Sequence, residues 1–331
     1  WHGLRVYPDA TGAFAVLEAG LYKYPNCLAG QVWRCDANTL VPYSGTWHQT
    51  ARLYRDWADT WWHQREVPLW VRKMKGWQRV IFRHQYGETL FRYADLNGRM
   101  RRAGESVGVE TVLAFGWWQR GMDNGYPDSY FVTDPQQGGD AGWGGAVADY
   151  RKNGGRLLLY FNGKLIDRES AYYRDGDGKA VSYRDNTGGE YTEQYRFKGH
   201  GTFTGLYNAR TFVVADTRQE GWRRQLRDMA DRAIRFGTDG VFYDQLGYCE
   251  PSSNWDVDGE FPIPNTRVIA DKAETLNMLH DHLDAKAPAD FALGTECFTD
   301  VTAQHVDYVH NLIGATGPND FTEWVRYAFP E

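Results

Sequence analysis

Thr238-Asp239-Gly240-Val241-Phe242-Tyr243-Asp244-Gln245-Leu246-Gly247 is the stretch whose reading decides the fold. Residues 240–243 form a short apolar run of the kind found inside a parallel sheet, where helices cover both faces. The run stops at a carboxylate and an amide. An Asp at that point sits at the C-terminal end of a strand, the end at which α/β barrels do their chemistry. The structural alternative is an Asp that caps the next loop or helix.

Outward from this segment, apolar runs and amphipathic stretches alternate. Val80-Ile81-Phe82 leads into Arg83-His84-Gln85, and residues 111–115 lead into Gly116-Trp117-Trp118. Residues 157–161 end at Asn162, 291–295 at Glu296, and 306–309 at His310-Asn311. Between them, Trp222, Leu226, Met229, Ala233 and Phe236 form one helical stripe closed by Gly237, and Ile269, Ala273, Leu276, Leu279 and Leu283 form another. A helix is also expected after Gly45, carried by Trp47, Ala51, Tyr54, Ala58 and Trp61 or Trp62, with Pro68 marking its end region.

This alternation predicts an α/β fold with a parallel sheet, and no Gly-rich phosphate loop follows the first strand. The expected architecture is a (β/α)8 TIM-type barrel over residues 46–331. Six strands can be counted, so the barrel is expected to be C-terminally truncated. Residues 1–45 read as a β-rich segment, the end of a sandwich-like domain. An excursion over 167–217, rich in Tyr, Gly and Asp, interrupts the rhythm. It either shapes a substrate cleft or stands apart as a hairpin.

The 331 residues suffice for a barrel-sized core. A formal net charge of −6, from 37 Lys and Arg against 43 Asp and Glu, leaves no basic footprint for nucleic acid. No apolar stretch is long enough for membrane insertion. The 14 Trp, 21 Tyr and 16 Phe exceed ordinary aromatic content. Trp117-Trp118, Trp61-Trp62, Trp143 and Trp255 lie beside Gly, Asp or Asn in loop-like segments, where flat apolar faces suit sugar rings. Cys27, Cys35, Cys249 and Cys297 make no zinc spacing, and Cys27 and Cys35 are near enough in sequence to bridge. The chain starts at Trp1 with no leader and reads as a partial sequence.

Two carboxylates at the ends of neighbouring strands, Asp244 and Glu296, are the central constellation. Glycoside hydrolysis uses such a pair, one carboxyl at the anomeric carbon and one protonating the leaving oxygen. Asp244 is expected to stay ionised, oriented by Tyr243 and Gln245. Glu296 follows an apolar run, a setting that raises a carboxyl pKa toward that of a general acid. His84, Gln85, Trp117, Trp118, Asp123 and Asn162 are candidate substrate-binding residues on the same face, by stacking or by hydrogen bonds to hydroxyls. Capping or core filling is the alternative for each, and His310 and Tyr327 are weaker candidates. Asn254, Asp256, Asp258 and Gly259 follow the start of a calcium loop, but Asn265 stands where a bidentate acid is needed, so a polar turn is expected and no metal site.

These residues resemble a bacterial glycoside-hydrolase-like barrel family related to endo-α-N-acetylgalactosaminidases and, more distantly, to α-galactosidases. The resemblance is carried by residues 240–245, by Trp117-Trp118, Asn162 and Gly294-Thr295-Glu296, and by two further pieces. Those are Tyr43-Ser44-Gly45-Thr46-Trp47-His48 with Tyr54-Arg55-Asp56-Trp57, and Arg326-Tyr327-Ala328-Phe329-Pro330-Glu331. It spans roughly residues 40–331. It implies a retaining mechanism with Asp244 as nucleophile and Glu296 as acid/base. The α-galactosidases carry an Asp at the second position, so Glu296 follows the endo-acting relatives. The expectation is a retaining glycosidase for α-linked galactose- or N-acetylgalactosamine-type glycans, needing no cofactor and working outside the cytoplasm, extracellular or periplasmic. The alternative is a non-catalytic carbohydrate-binding barrel whose Trp-rich rim does the binding.

Overall fold

The computed structural model describes residues 2–21, 27, 29–35, 37–195, 210–248, 253–256, 267–310 and 322–329. Its first elements are β1 (His2–Pro8) and β2 (Phe14–Leu21), an antiparallel hairpin forming a sheet of its own. Helices α1 (Trp47–Ala58) and α2 (Leu69–Arg72) follow. The α1 helix ends ten residues before Pro68, which instead sits at the N-terminal boundary of α2. That suits a residue with fixed φ and no N–H to leave unpaired.

The strands β3 (Trp77–Ile81), β4 (Thr111–Phe115), β5 (Arg156–Asn162), β9 (Gly240–Asp244), β10 (Ala292–Glu296) and β11 (Tyr308–His310) form one sheet, ordered β11-β10-β9-β5-β4-β3. Every pairing in it is parallel. Helices α3 (Arg99–Val107), α4 (Gly139–Lys152), α6 (Glu220–Arg235), α7 (Val268–Lys286) and the short α8 (Asp300–Ala303) fill the connections. A short α5 (Ala171–Asp175) lies inside the excursion, and α9 (Thr322–Ala328) packs back on α1.

The sheet curls until its two edges meet through side chains. The Trp77 ring on β3 lies 5.9 Å from those of both Tyr308 and His310 on β11. The described residues thus supply six parallel strands of a curled sheet; a closed eight-stranded barrel is not formed by them. Gly294 makes room for the curl, because a Cβ there would stand 2.1 Å from the Tyr308 ring.

Alternation sorts the strand residues between two faces. Phe82, Trp117, Trp143 and Phe161 pack in an outer layer under the helices, with Trp117 and Trp143 stacked at 5.9 Å. Each such buried ring contributes about 1.5–3 kcal/mol. Trp222, Leu226, Met229 and Ala233 on α6 are buried as expected, and so are Ala273, Leu276, Leu279 and Leu283 on α7, where Val268 is buried and Ile269 only half-buried. Gly237 follows α6 at φ +68°.

The excursion folds as a second antiparallel sheet of β6 (Leu165–Asp167), β7 (Thr192–Tyr195) and β8 (Arg210–Val214), ordered β6-β8-β7. It grows from the C-terminal end of β5, so it stands on the same side of the sheet as Asp244. Cys27 and Cys35 are exposed and carry no disulfide. Cys249, Asp258, Gly259, Asn265, Asn311, Pro330 and Glu331 lie outside the described residues. Among the described residues no helix is long and apolar enough to cross a membrane.

Candidate active site

Parity places Tyr160 and Asn162 of β5, Phe242 and Asp244 of β9, and Glu296 of β10 on the inner face of the curl. The register pairs Asn162 with Asp244 and Thr295 with Tyr243, so Glu296 lies one step along β10 beside Asp244. The two carboxyls are close enough to hydrogen-bond. The Tyr160 hydroxyl donates to Asp244 Oδ2 at 2.7 Å, and the Asn162 side-chain amide reaches the same oxygen at 3.4 Å.

This arrangement shifts the Asp244 pKa well above the ordinary aspartate range. Burial is the main cause, the charge of Glu296 adds to it, and the Tyr160 hydrogen bond opposes it. This direction runs against the expectation that Asp244 stays ionised. A neighbouring carboxylate in a desolvated setting disfavours the charged form of Asp244.

The backbone fixes where these groups point. Gln245 and Cys297, the residues directly after the two carboxylates, have φ of +61° and +57°, and Asp123 has φ +53°. Positive φ in non-glycine residues costs about 1–3 kcal/mol each and persists only where surrounding contacts enforce it. Here Cys297 N–H donates to His310 O at 2.9 Å, and Gly247 N–H donates to Thr295 Oγ1 at 2.8 Å. A Cβ at Gly247 would meet Cys297 O at 2.1 Å, so only glycine lets the loops after β9 and β10 pack this closely.

Asn162, 1% exposed, is a hub. Its Oδ1 accepts from the N–H groups of Lys164 and Leu165, and its Nδ2 donates to Gln245 Oε1 at 3.0 Å. Gln245 Nε2 in turn lies 3.4 Å from Glu193 of β7, which pairs with the buried Lys164. The excursion is thus part of this site's wall and not a distant hairpin. On the opposite side Gln85 Nε2 donates to Asp123 Oδ2 at 2.8 Å, and Tyr126 OH to Asp123 Oδ1 at 3.1 Å. Burial raises the Asp123 pKa, and its charge is felt at Asp244. The His84 ring lies 4.4 Å from that of Tyr86, at the turn that follows β3.

The structure thus brings Asp244, Glu296, Asn162, Gln245, Asp123 and Gln85 around one face. It does not bring Trp117, Trp118 or Tyr243 there as ligand contacts. All three are fully buried. Trp117 donates its indole N–H to Tyr160 O at 3.1 Å, and Tyr243 turns outward to donate to Leu226 O of α6 at 2.6 Å. Trp118 stacks behind Tyr160, centroids 6.0 Å apart at 14°, so it backs the residue that holds Asp244. Trp143 is a buried helix residue rather than a loop one. These indoles sit next to Gly because close packing needs small neighbours, which is why they resemble a binding rim in sequence.

Tyr160 escaped the sequence reading, where it counted only as strand core. The available signal was parity: it stands two residues before Asn162, on the same face. His310 does line the curl beside Trp77 and Phe242. Tyr327 does not, since it accepts from Arg52 Nε at 2.8 Å on the outside of α1. The Tyr54-Arg55 and Ala328-Phe329 pieces clamp α1 to α9, with Arg55 Nη1 donating to Ala328 O and its guanidinium 5.5 Å from the Phe329 ring. Asn254 accepts from the Arg184 N–H at 2.8 Å and donates to Asp216 Oδ2 at 2.8 Å. Among the described residues no group of His, Cys, Asp or Glu could hold a metal ion.

The chain belongs to the family described as "Domain of unknown function (DUF6259)", whose model matches residues 37–313. A protein of Monosiga brevicollis named "Putative glycoside hydrolase 22789" is 27% identical over 237 residues, 63% of this chain and 19% of that protein. A Bacteroides thetaiotaomicron protein named "Putative glycoside hydrolase" is 23% identical over 238 residues, 67% of this chain and 31% of that one. The chain thus spans about a fifth to a third of these relatives.

Among solved structures, a ligand-free alpha-N-acetylgalactosaminidase from Bifidobacterium bifidum superposes with a TM-score of 0.64 at 14% identity. The match covers 85% of this chain and 48% of that one. An alpha-galactosidase from Thermus thermophilus gives 0.50 at 15%, covering 78% and 44%. The likeness is one of fold, and it bears out the resemblance read from the sequence.

Proposed function

We propose that this chain is the catalytic part of a glycoside hydrolase with a (β/α)8-type barrel, acting by retention on α-linked galactose- or N-acetylgalactosamine-type glycans. The observation that carries the reading is the placement of Asp244 and Glu296 at the C-terminal ends of adjacent strands, near enough for Glu296 to raise the Asp244 pKa. The names of the curated relatives support the reaction class, and those of the structural neighbours support the sugar.

A retaining pair reacts with its nucleophile ionised and its acid protonated. Retaining pairs stand about 5–5.5 Å apart, which leaves room for the anomeric carbon between them. Asp244 would keep Tyr160 and Asn162 as donors, a setting that favours its carboxylate, while the proton stays on Glu296. Asp244 Oδ would then attack the anomeric carbon as the C–O bond to the aglycone breaks and Glu296 protonates the leaving oxygen. In the second half Glu296 would take a proton from water, whose oxygen attacks the same carbon and releases Asp244.

The binding-barrel alternative drew on a Trp-rich rim, and the burial of Trp62, Trp117, Trp118 and Trp143 weakens that support, with Trp61 and Trp255 half-buried. The test is proton NMR of the hydrolysis of an aryl α-galactoside and an aryl α-N-acetylgalactosaminide. The α-anomer is expected first. A β-anomer first would replace retention by inversion, and binding without turnover would favour the non-catalytic barrel.

A further inference from the structure

A cavity of about 410 Å³ is lined by Arg83, Gln85, Tyr86, Gly87, Gln119, Arg120, Asn124 and Arg210. Its walls come from three places: the turn after β3, the loop after β4, and the first residue of β8. The lining contains three guanidinium groups and no carboxylate. Cavities in a protein of net charge −6 are not expected to be cationic by default, and this one lies on the face where substrate would enter.

The three arginines differ in how they are held. Arg83 Nη1 is anchored to Asp134 at 3.3 Å, while its Nε is buried with no hydrogen-bond partner. Arg210 is braced from behind by Glu169, by Asp167 at 3.7 Å and by Asn124 Oδ1 at 3.1 Å. The anchors hold two planar forks at the rim, while the third guanidinium, Arg120, makes no close ion pair among the described residues and its charge is felt at Asp167. Planar, multidentate N–H donors are matched to carboxylate or sulfate oxygens. The cavity also connects to the chemistry, since its lining residue Gln85 holds Asp123, whose charge is felt at Asp244.

We propose that this cavity is a subsite for an anionic substituent of the glycan, a sulfate ester or a sugar carboxylate, with Arg120 as its principal ligand. The inference rests on the glycosidase reading for the substrate, and narrows it from α-galactosyl glycans in general to acidic ones.

The test measures binding of galactose, galactose 6-sulfate and galacturonic acid by calorimetry, and turnover of the matching aryl α-glycosides. The comparison proteins are the unmodified chain, Arg120→Gln and Arg120→Lys. At least one anionic sugar is expected to exceed the neutral one by about tenfold, the scale of one charge-assisted contact. Arg120→Gln should bring that ratio close to one. Arg120→Lys should keep part of it, since charge remains without the fork. Preference for the sulfate alone, or the carboxylate alone, identifies the source.

Equal binding of all three sugars, or a preference that Arg120→Gln leaves intact, overturns the subsite. Failure of the glycosidase reading would look different. Anionic sugars would bind through Arg120 while no glycoside, charged or neutral, is hydrolysed.

Discussion

The Tyr160 hydroxyl donates to Asp244 Oδ2 at 2.7 Å, and that oxygen belongs to a carboxyl whose pKa Glu296 raises. Tyr160 and Glu296 act on Asp244 in opposite directions, the first favouring its ionised form and the second the protonated one. Removing the hydroxyl tips this balance. Tyr160→Phe is expected to lower kcat/KM by roughly ten- to a hundredfold, the weight of a hydrogen bond to a charged group. The acid limb of the pH–rate profile should move to higher pH, because the Tyr160 bond lowers the Asp244 pKa and its loss raises it. An unmoved limb would separate Tyr160 from Asp244 function.

Asn162 serves the fold and the site together. Asn162→Ala leaves the N–H groups of Lys164 and Leu165 without their acceptor and releases Gln245. Denaturant unfolding should show a loss of about 1–3 kcal/mol. A variant of unchanged stability would mean that water or another group takes over both donors.

Gly294→Ala should be among the most damaging single-atom changes in the chain. The added methyl would stand 2.1 Å from the Tyr308 ring, whose hydroxyl is fixed on Val241 O at 2.8 Å. The expected loss is about 1–3 kcal/mol, the cost of overpacking a tight core. Thermal unfolding of Gly294→Ala alone and with Tyr308→Ala tests it. The two changes together should cost less than their sum.

Away from the site, His280 and Asp307 predict the pH dependence of stability. Burial lowers the His280 pKa to about 4 and raises that of Asp307 to about 7. His280 binds its proton less readily folded than unfolded, so its contribution is present above about 6.5 and is lost as pH falls toward 4. Asp307 binds its proton more readily when folded. Its contribution is present below 3.8 and fades as pH rises through about 7. Asp307→Asn, which keeps an acceptor for Leu293 N–H, should flatten the decline between pH 4 and 7. An identical slope in the variant would refute the assignment.

The alternation of apolar runs placed all six parallel strands and the carboxylates that end β9 and β10, because strand length and termination are local properties. Side-chain direction was only partly legible. Parity would have moved Tyr160 into the cleft and Tyr243 out of it, but the runs at 157–161 and 240–243 are apolar on both faces, which hides the alternation. Burial of Trp117, Trp118 and Trp143 depends on helix packing that short-range pattern does not encode. The arginine cavity was invisible for the same reason, since Arg83, Arg120 and Arg210 come from three separate segments.

The most direct test of the central claim is hydrolysis of an aryl α-galactoside and an aryl α-N-acetylgalactosaminide by the chain and by Asp244→Asn, with sugar binding measured on both. The account predicts turnover by the unmodified chain, and its abolition in Asp244→Asn with binding retained. Turnover that survives the substitution, or binding of sugar with no turnover by either protein, would contradict it.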